Sequence, residues 1–82
     1  MKYEIRQIDA WFDGESWTWN NSFQICTFVT KSKDHKRAFL NMLNTKGILR
    51  ISKNSYYVDY DGDIYEVRLK KTDEPLFAAI PC

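Results

Sequence analysis

The side chain most often used for acid–base chemistry occurs once in this 82-residue chain, as His35. A histidine that acts as a general base needs an orienting partner and a nucleophile within hydrogen-bond reach. Its neighbour Asp34 points elsewhere on a helix, and the other nearby residues, Lys33, Lys36 and Arg37, are basic. We therefore expect His35 to be exposed to solvent, and we expect the protein not to be an enzyme.

The acidic run from Asp59 to Glu66 has the residue types of a calcium loop but not the spacing. Such a loop places glycine sixth and a bidentate glutamate twelfth, whereas Gly62 is fourth here and Lys70 is twelfth. The cysteines, Cys26 and Cys82, form no Cys-X-X-Cys pair, and one histidine cannot complete a zinc site. The sequence therefore predicts no metal and no other cofactor.

Basic residues surround the start of the predicted helix, at Lys31, Lys33, Lys36 and Arg37. A helix start that carries cations is a workable phosphate site, but such residues also serve as a solubilising face whose long stems cover apolar surface. The formal net charge is only +1, which argues against attraction of the whole protein to nucleic acid. Nucleic acid is therefore the less favoured partner, and this patch is where it would bind.

Aromatic residues are abundant, with three Trp, five Tyr and five Phe. Alternation along a strand puts Trp17 and Trp19 on one side of a predicted hairpin. If that side faces inward, both rings cap the core. If it faces outward, they form a protein-binding anchor or a platform on which bases stack. We take Trp17, Trp19 and Tyr57 as the candidate partner surface.

Two alternating segments at the N-terminus, 2–12 and 17–30, predict a β-hairpin with its turn at 13–16. The apolar positions of the first segment change face near Gln7, which predicts a bulge there. In the second segment one apolar face consists of Trp17, Trp19, Phe23, Ile25 and Val29, and the apolar exceptions on the other face are Cys26 and Phe28.

A helical stripe follows at 33–46, where Phe39, Met42 and Leu43 have the i, i+3, i+4 spacing. Ser32 is the expected N-cap. Gly47 stands where a left-handed residue ends a helix.

The C-terminal part of the chain predicts three or four strands. The first is a short strand at 48–52, and the last is at 76–80. Between them, 56–60 and 63–69 are joined by Asp61-Gly62 as a two-residue hairpin turn. That turn pairs Val58 with Tyr65 and Tyr56 with Val67. The final strand could also pair with another molecule if its edge is open.

The predicted fold is therefore a single α+β domain, 1–82, with a twisted antiparallel sheet of about five to six strands and one helix, in the order ββα followed by three to four strands. A helix of about fourteen residues is roughly 21 Å long and 10 Å wide, and five or six strands span roughly 24–29 Å. The helix cannot cover this sheet. Either the sheet curls into a partial barrel, or part of a face is left for a partner or a second copy.

The N-terminus carries no signal peptide, and no apolar run approaches transmembrane length. We therefore expect a cytoplasmic protein with free thiols and no membrane partner.

The opening Tyr3-Glu4-Ile5-Arg6-Gln7-Ile8-Asp9-Ala10-Trp11, the segment Gly14 to Asn20 and the closing Glu74 to Pro81 resemble small uncharacterised proteins of conjugative elements and prophages of low-GC Gram-positive bacteria. The resemblance covers only the two ends of the chain. It implies an accessory protein of a mobile element, and it implies no activity, cofactor or site.

Two functions are compatible with these patterns. The first is a small non-enzymatic interaction module that docks a protein partner or self-associates through uncovered sheet, as the aromatic excess and the short helix suggest. The alternative is a nucleic-acid-binding accessory protein that uses the basic helix N-terminus.

Overall fold

The structure is a computed structural model that describes all 82 residues. Its elements, in chain order, are β1 (Lys2–Phe12), β2 (Trp17–Val29), α1 (His35–Thr45), a 3₁₀ turn (Lys53–Ser55), β3 (Tyr56–Tyr60), β4 (Tyr65–Leu69) and β5 (Pro75–Pro81). The five strands form one antiparallel sheet in the order β2-β1-β5-β4-β3, with the helix on one face. The α+β prediction of a single antiparallel sheet with one helix is confirmed.

The last strand, β5, lies in the centre of the sheet. It pairs with β1 on one side and with β4 on the other. Because β5 lies between two other strands, its small residues Ala78 and Ala79 are almost fully inaccessible to solvent. The condition for pairing of the terminal strand with another molecule, an open edge, is therefore not met, and the free edges belong to β2 and β3.

The first hairpin contains two bulges, and both lie on β2. The pairing register shifts between Ile5 and Arg6 and again between Asp9 and Ala10. At each shift β2 carries the extra residue, Ile25 in the first and Asn20 in the second. The bulge expected on β1 near Gln7 is therefore absent, and β1 alternates regularly along its length.

The two bulges change the face expected for Phe23, which pairs with Gln7, whereas Trp17, Trp19 and Val29 share one face as the alternation predicts. Cys26 and Phe28 stand opposite Ile5 and Tyr3 on the other face, where the alternation placed them, and pack against the core. Phe23 and Val29 remain largely exposed. The first inserted residue moves later side chains to the other face and the second moves them back, so only the residues between the bulges depart from the simple alternation.

The helix begins two residues later than expected, at His35, and ends at Thr45. Its N-cap is Asp34 rather than Ser32, and the Asp34 carboxylate accepts a hydrogen bond from the Arg37 amide at 3.1 Å. Gly47 follows the helix with φ of 71°, as the stop signal predicts. The core between helix and sheet consists of Tyr3, Ile5, Phe39, Leu43, Tyr56, Val67, Phe77 and Ala79.

Two details of the C-terminal half differ from expectation. Residues 48–52 form a loop instead of a strand. The β3–β4 connection contains four residues, and Val58 pairs with Val67 rather than with Tyr65. Asp61 explains the longer loop, because its carboxylate accepts hydrogen bonds from the amides of Asp63 and Ile64. A shift of two residues leaves every side chain on the expected face.

No helix has the length and apolar character of a membrane span. Cys26 and Cys82 are both free.

Candidate interaction surface

The outer edge of β2 is the longest unpaired strand edge in the molecule. The strand has thirteen residues, and none of them is charged, glycine or proline. Phe23 is 56% exposed and Val29 is 65% exposed. Monomeric proteins usually protect such edges with charges, prolines, bulges or a short strand. The other edge strand, β3, has five residues and carries Asp59. Bulges at Asn20 and Ile25 interrupt the β2 edge, so its unprotected part is the regular segment from Cys26 to Val29.

Hydrogen bonds between Met1 and Thr30, one residue beyond the ends of β1 and β2, show which backbone groups point outward. The Met1 ammonium donates to the Thr30 carbonyl at 2.9 Å, and the Thr30 amide donates to the Met1 carbonyl at 3.0 Å. Hydrogen-bonded and non-bonded pairs alternate along an antiparallel ladder. Val29 and Thr27 therefore occupy non-bonded pairs with β1, and their N–H and C=O groups point to the free edge.

The middle of the same edge is partly blocked by Arg6. Its guanidinium donates to the Ser22 side chain at 2.7 Å and to the Ser22 carbonyl at 2.8 Å. An ion pair with Glu4 at 2.6 Å holds the Arg6 side chain in this position. The accessible backbone groups of the edge are consequently those near Thr27 and Val29.

Both candidate tryptophans lie on the face of the sheet opposite the helix. Trp17 pairs with Phe12 and Trp19 with Ala10, on the side of β1 that faces away from the core. Each indole is half-buried: Trp17 donates to the Thr72 carbonyl at 2.9 Å and Trp19 to the Glu66 carboxylate at 2.8 Å. The end of the β1–β2 hairpin therefore bends over the face of the sheet opposite the helix, so the sheet is partly curled but not closed.

Tyr57, the third residue of the candidate partner surface, lies on this same face. Its neighbours in β3 point into the core, and it pairs with Arg68 of β4. Arg68 forms ion pairs with Glu66 at 2.8 Å and with Asp73 at 3.3 Å. The structure therefore places Trp17, Trp19 and Tyr57 on one face, with charged side chains of β4 between Trp19 and Tyr57.

The four residues of the basic patch are all exposed and form no ion pair: Lys31, Lys33, Lys36 and Arg37. The carboxylate of Asp34 already occupies the helix N-terminus by accepting from the Arg37 amide. A phosphate at this helix end would have to approach a negative group.

His35 is half-buried, which corrects the expectation of an exposed side chain. Its Nδ1 atom lies 2.8 Å from the Tyr3 hydroxyl and 3.5 Å from the Tyr65 hydroxyl. The three rings make edge-to-face contacts with centroids 5.7–6.1 Å apart. The signal was present in the sequence, because His35 precedes Phe39 and Leu43 at four-residue intervals on the buried helical stripe.

Burial raises the pKa of Tyr3, and the nearby Tyr65 and Tyr60 hydroxyls raise it further. No carboxylate hydrogen-bonds to the His35 ring. The contacts of His35 with Tyr3 and Tyr65 attach the start of the helix to the sheet.

A groove of about 400 Å³ opens beside the helix C-terminus. Its lining is mainly apolar, with Gln7, Arg50 and Glu74 among the ten lining residues. No group of three or more metal-ligating side chains converges anywhere in the structure.

Comparisons of the chain with protein-family models, with curated proteins and with solved structures gave no match.

Proposed function

We propose that this chain is a small non-enzymatic interaction module, an accessory protein of a mobile element, whose β2 edge accepts an extended strand of a protein partner. The supporting observation is that a thirteen-residue edge strand carries no charge, glycine or proline. Val29, in the regular segment of this edge, is 65% exposed.

The mode of binding follows from the backbone groups that point outward. Thr27 and Val29 direct their N–H and C=O groups to solvent, and no side chain of the molecule bonds to them. An added strand satisfies such groups with main-chain hydrogen bonds, while alternate side chains provide specificity. The partner is therefore an extended polypeptide with uncharged side chains opposite Thr27 and Val29.

Peptide selection by phage display on the wild-type chain, with counter-selection on Thr27→Pro, tests this proposal. Proline removes an N–H that points to solvent and leaves the β1–β2 ladder intact. Thr27→Ala is the matched control, because it keeps the amide. We expect selected peptides to bind wild type and Thr27→Ala, to lose binding to Thr27→Pro, and to shift the β2 amide resonances. Peptides that bind all three proteins equally, or that map to Trp17, Trp19 and Tyr57, would overturn it.

Nucleic-acid binding is the second candidate. It is favoured by the four exposed cations without ion pairs, Lys31, Lys33, Lys36 and Arg37. It is opposed by the Asp34 carboxylate at the helix N-terminus and by the net charge of +1.

A further inference from the structure

We infer that the strand received by the β2 edge is β2 of a second copy, paired antiparallel about a two-fold axis at Phe28 to give a continuous ten-stranded sheet. This inference rests on the proposed function, since it names the occupant of the same edge. Three properties of the segment from Cys26 to Thr30 carry it: its regularity, its free backbone groups and its lack of charge.

Regularity restricts where two copies can pair. The bulges at Asn20 and Ile25 interrupt β2, and Arg6 already binds the Ser22 carbonyl between them. Beyond Ile25, residues 26–30 pair with β1 without interruption. A partner strand can therefore form a regular ladder only with this segment.

The outward-pointing backbone groups of Thr27 and Val29 fix the register in which two β2 strands pair. In an antiparallel pair, residues that exchange hydrogen bonds stand opposite each other. With the axis at Phe28, Thr27 of each copy faces Val29 of the other, and both contribute outward N–H and C=O groups. The two Phe28 rings then form the close, non-bonded pair at the axis, and aromatic cross-strand pairs of this kind are favourable. A register centred on Thr27 would instead place the bulged Ile25 opposite Val29.

The absence of charge permits a second copy to pair with this edge. A two-fold axis brings identical residues together, so any charged residue near the axis would meet its own kind. Because Trp17–Val29 contains no charged residue, self-pairing of this edge meets no repulsion within the strand. The β3 edge, in contrast, carries the charged residue Asp59.

The contact between the two copies is small. Five paired residues extend about 17 Å along an edge roughly 10 Å thick. The resulting contact is well below the roughly 800 Å² per partner of a standard interface. We therefore expect a weak dimer whose population rises with protein concentration.

Sedimentation velocity of the full chain over about 0.02 to 1 mM tests the dimer by mass action. We expect the sedimentation coefficient of wild type and Thr27→Ala to rise with concentration, and that of Thr27→Pro to stay at the monomer value. Val29→Glu is a second disrupting variant, because Val29 is 65% exposed and pairs with Lys2, so the substitution is compatible with the folded monomer. If wild type stays monomeric throughout, the second copy is excluded, whereas the peptide selection still decides the proposed function.

Cross-linking tests the register in a Cys26→Ala, Cys82→Ser background. Facing residues across a strand pair lie within the Cα separation that a disulfide allows. An equimolar mixture of Thr27→Cys and Val29→Cys chains should give covalent dimers on oxidation, and Thr27→Cys alone should give several-fold fewer. Preferential cross-linking of Thr27→Cys alone would overturn the Phe28 axis.

Discussion

The hydroxyl of Tyr3 lies 2.8 Å from Nδ1 of His35 and joins the first strand to the first residue of the helix. Tyr3 is almost fully buried, and its ring also stacks on Phe28 of β2. The contact therefore links β1, β2 and α1 at one point. Because the helix has only eleven residues, such links contribute noticeably to its position on the sheet.

Tyr3→Phe should lower the free energy of unfolding by about 0.5–1.5 kcal/mol, because the ring keeps its packing and only the hydrogen bond is lost. His35→Ala should cost more, since it also removes the ring contacts with Tyr3 and Tyr65. Lys36→Ala, an exposed residue in the same helical turn, is the matched control and should be close to neutral. Urea unfolding at neutral pH measures all three. Equal stability of wild type and Tyr3→Phe would contradict the role of the hydroxyl.

Stability should fall as the pH rises above 10, in part because of Tyr3. Burial raises the pKa of its phenol above the ordinary value of 10.0, so the unfolded chain loses this proton first. The unfolded state then binds fewer protons than the native state, and raising the pH favours unfolding. The contribution is complete below pH 10 and is lost as the pH passes through the folded pKa. Urea unfolding at several pH values above 10 should show a flatter decline for Tyr3→Phe than for wild type.

The turn carboxylate of Asp61 should contribute stability that disappears in acid. Hydrogen bonds from the amides of Ile64 and Asp63 lower its pKa below the ordinary value of 3.8. Its contribution is therefore present above about pH 4 and is lost as the pH falls through the folded pKa. Asp61→Asn keeps an oxygen acceptor without the titration, so its unfolding midpoint should fall less between pH 4 and 2. Asp59→Asn is the control, and an identical acid profile for both variants would contradict this role.

The same aspartate shows why the β3–β4 register was not predictable. An Asp-Gly pair indicates a two-residue turn, but an aspartate that accepts from two later amides builds a four-residue loop equally well. The choice depends on which cross-strand pairs form. The faces of Val58 and Val67 were nevertheless correct, because the two registers differ by two residues. The alternation of the sequence therefore predicted which side chains of β3 and β4 are buried, whereas the pairing of the two strands is determined only in the folded sheet.

Long-range contacts limited the prediction of the candidate surface. The tryptophans were correctly expected on one side of the hairpin, but Trp19 reaches Glu66, which is 47 residues away in sequence. No local pattern specifies that contact or the central place of β5. The bulges at Asn20 and Ile25 likewise depend on how β2 pairs with β1. His35 is different, because its position on the stripe of Phe39 and Leu43 could have shown its burial.

Trp19→Phe should loosen the end of the hairpin from the sheet. The indole N–H donates to a carboxylate, and loss of a hydrogen bond to a charged group costs on the order of 1.5–3 kcal/mol. Trp11→Phe is the matched control, because Trp11 is 45% exposed and its indole forms no hydrogen bond. Hydrogen exchange should accelerate at residues 9–12 and 17–21 in Trp19→Phe alone. Unchanged protection in that variant would show that the indole does not hold the hairpin end.

A mixed-sequence oligonucleotide, added during amide NMR at low and at physiological salt, separates the two candidate functions. We expect at most small shifts around Lys31 to Arg37 at low salt, and we expect them to vanish as salt rises, because about four phosphate contacts give a steep salt dependence. The Asp34 carboxylate at the helix start opposes any tighter site. A combined Lys33→Gln, Lys36→Gln variant should remove the low-salt shifts and leave dimer formation through β2 unchanged. Saturable shifts that persist at physiological salt and disappear in this variant would favour nucleic-acid binding over the strand-accepting edge.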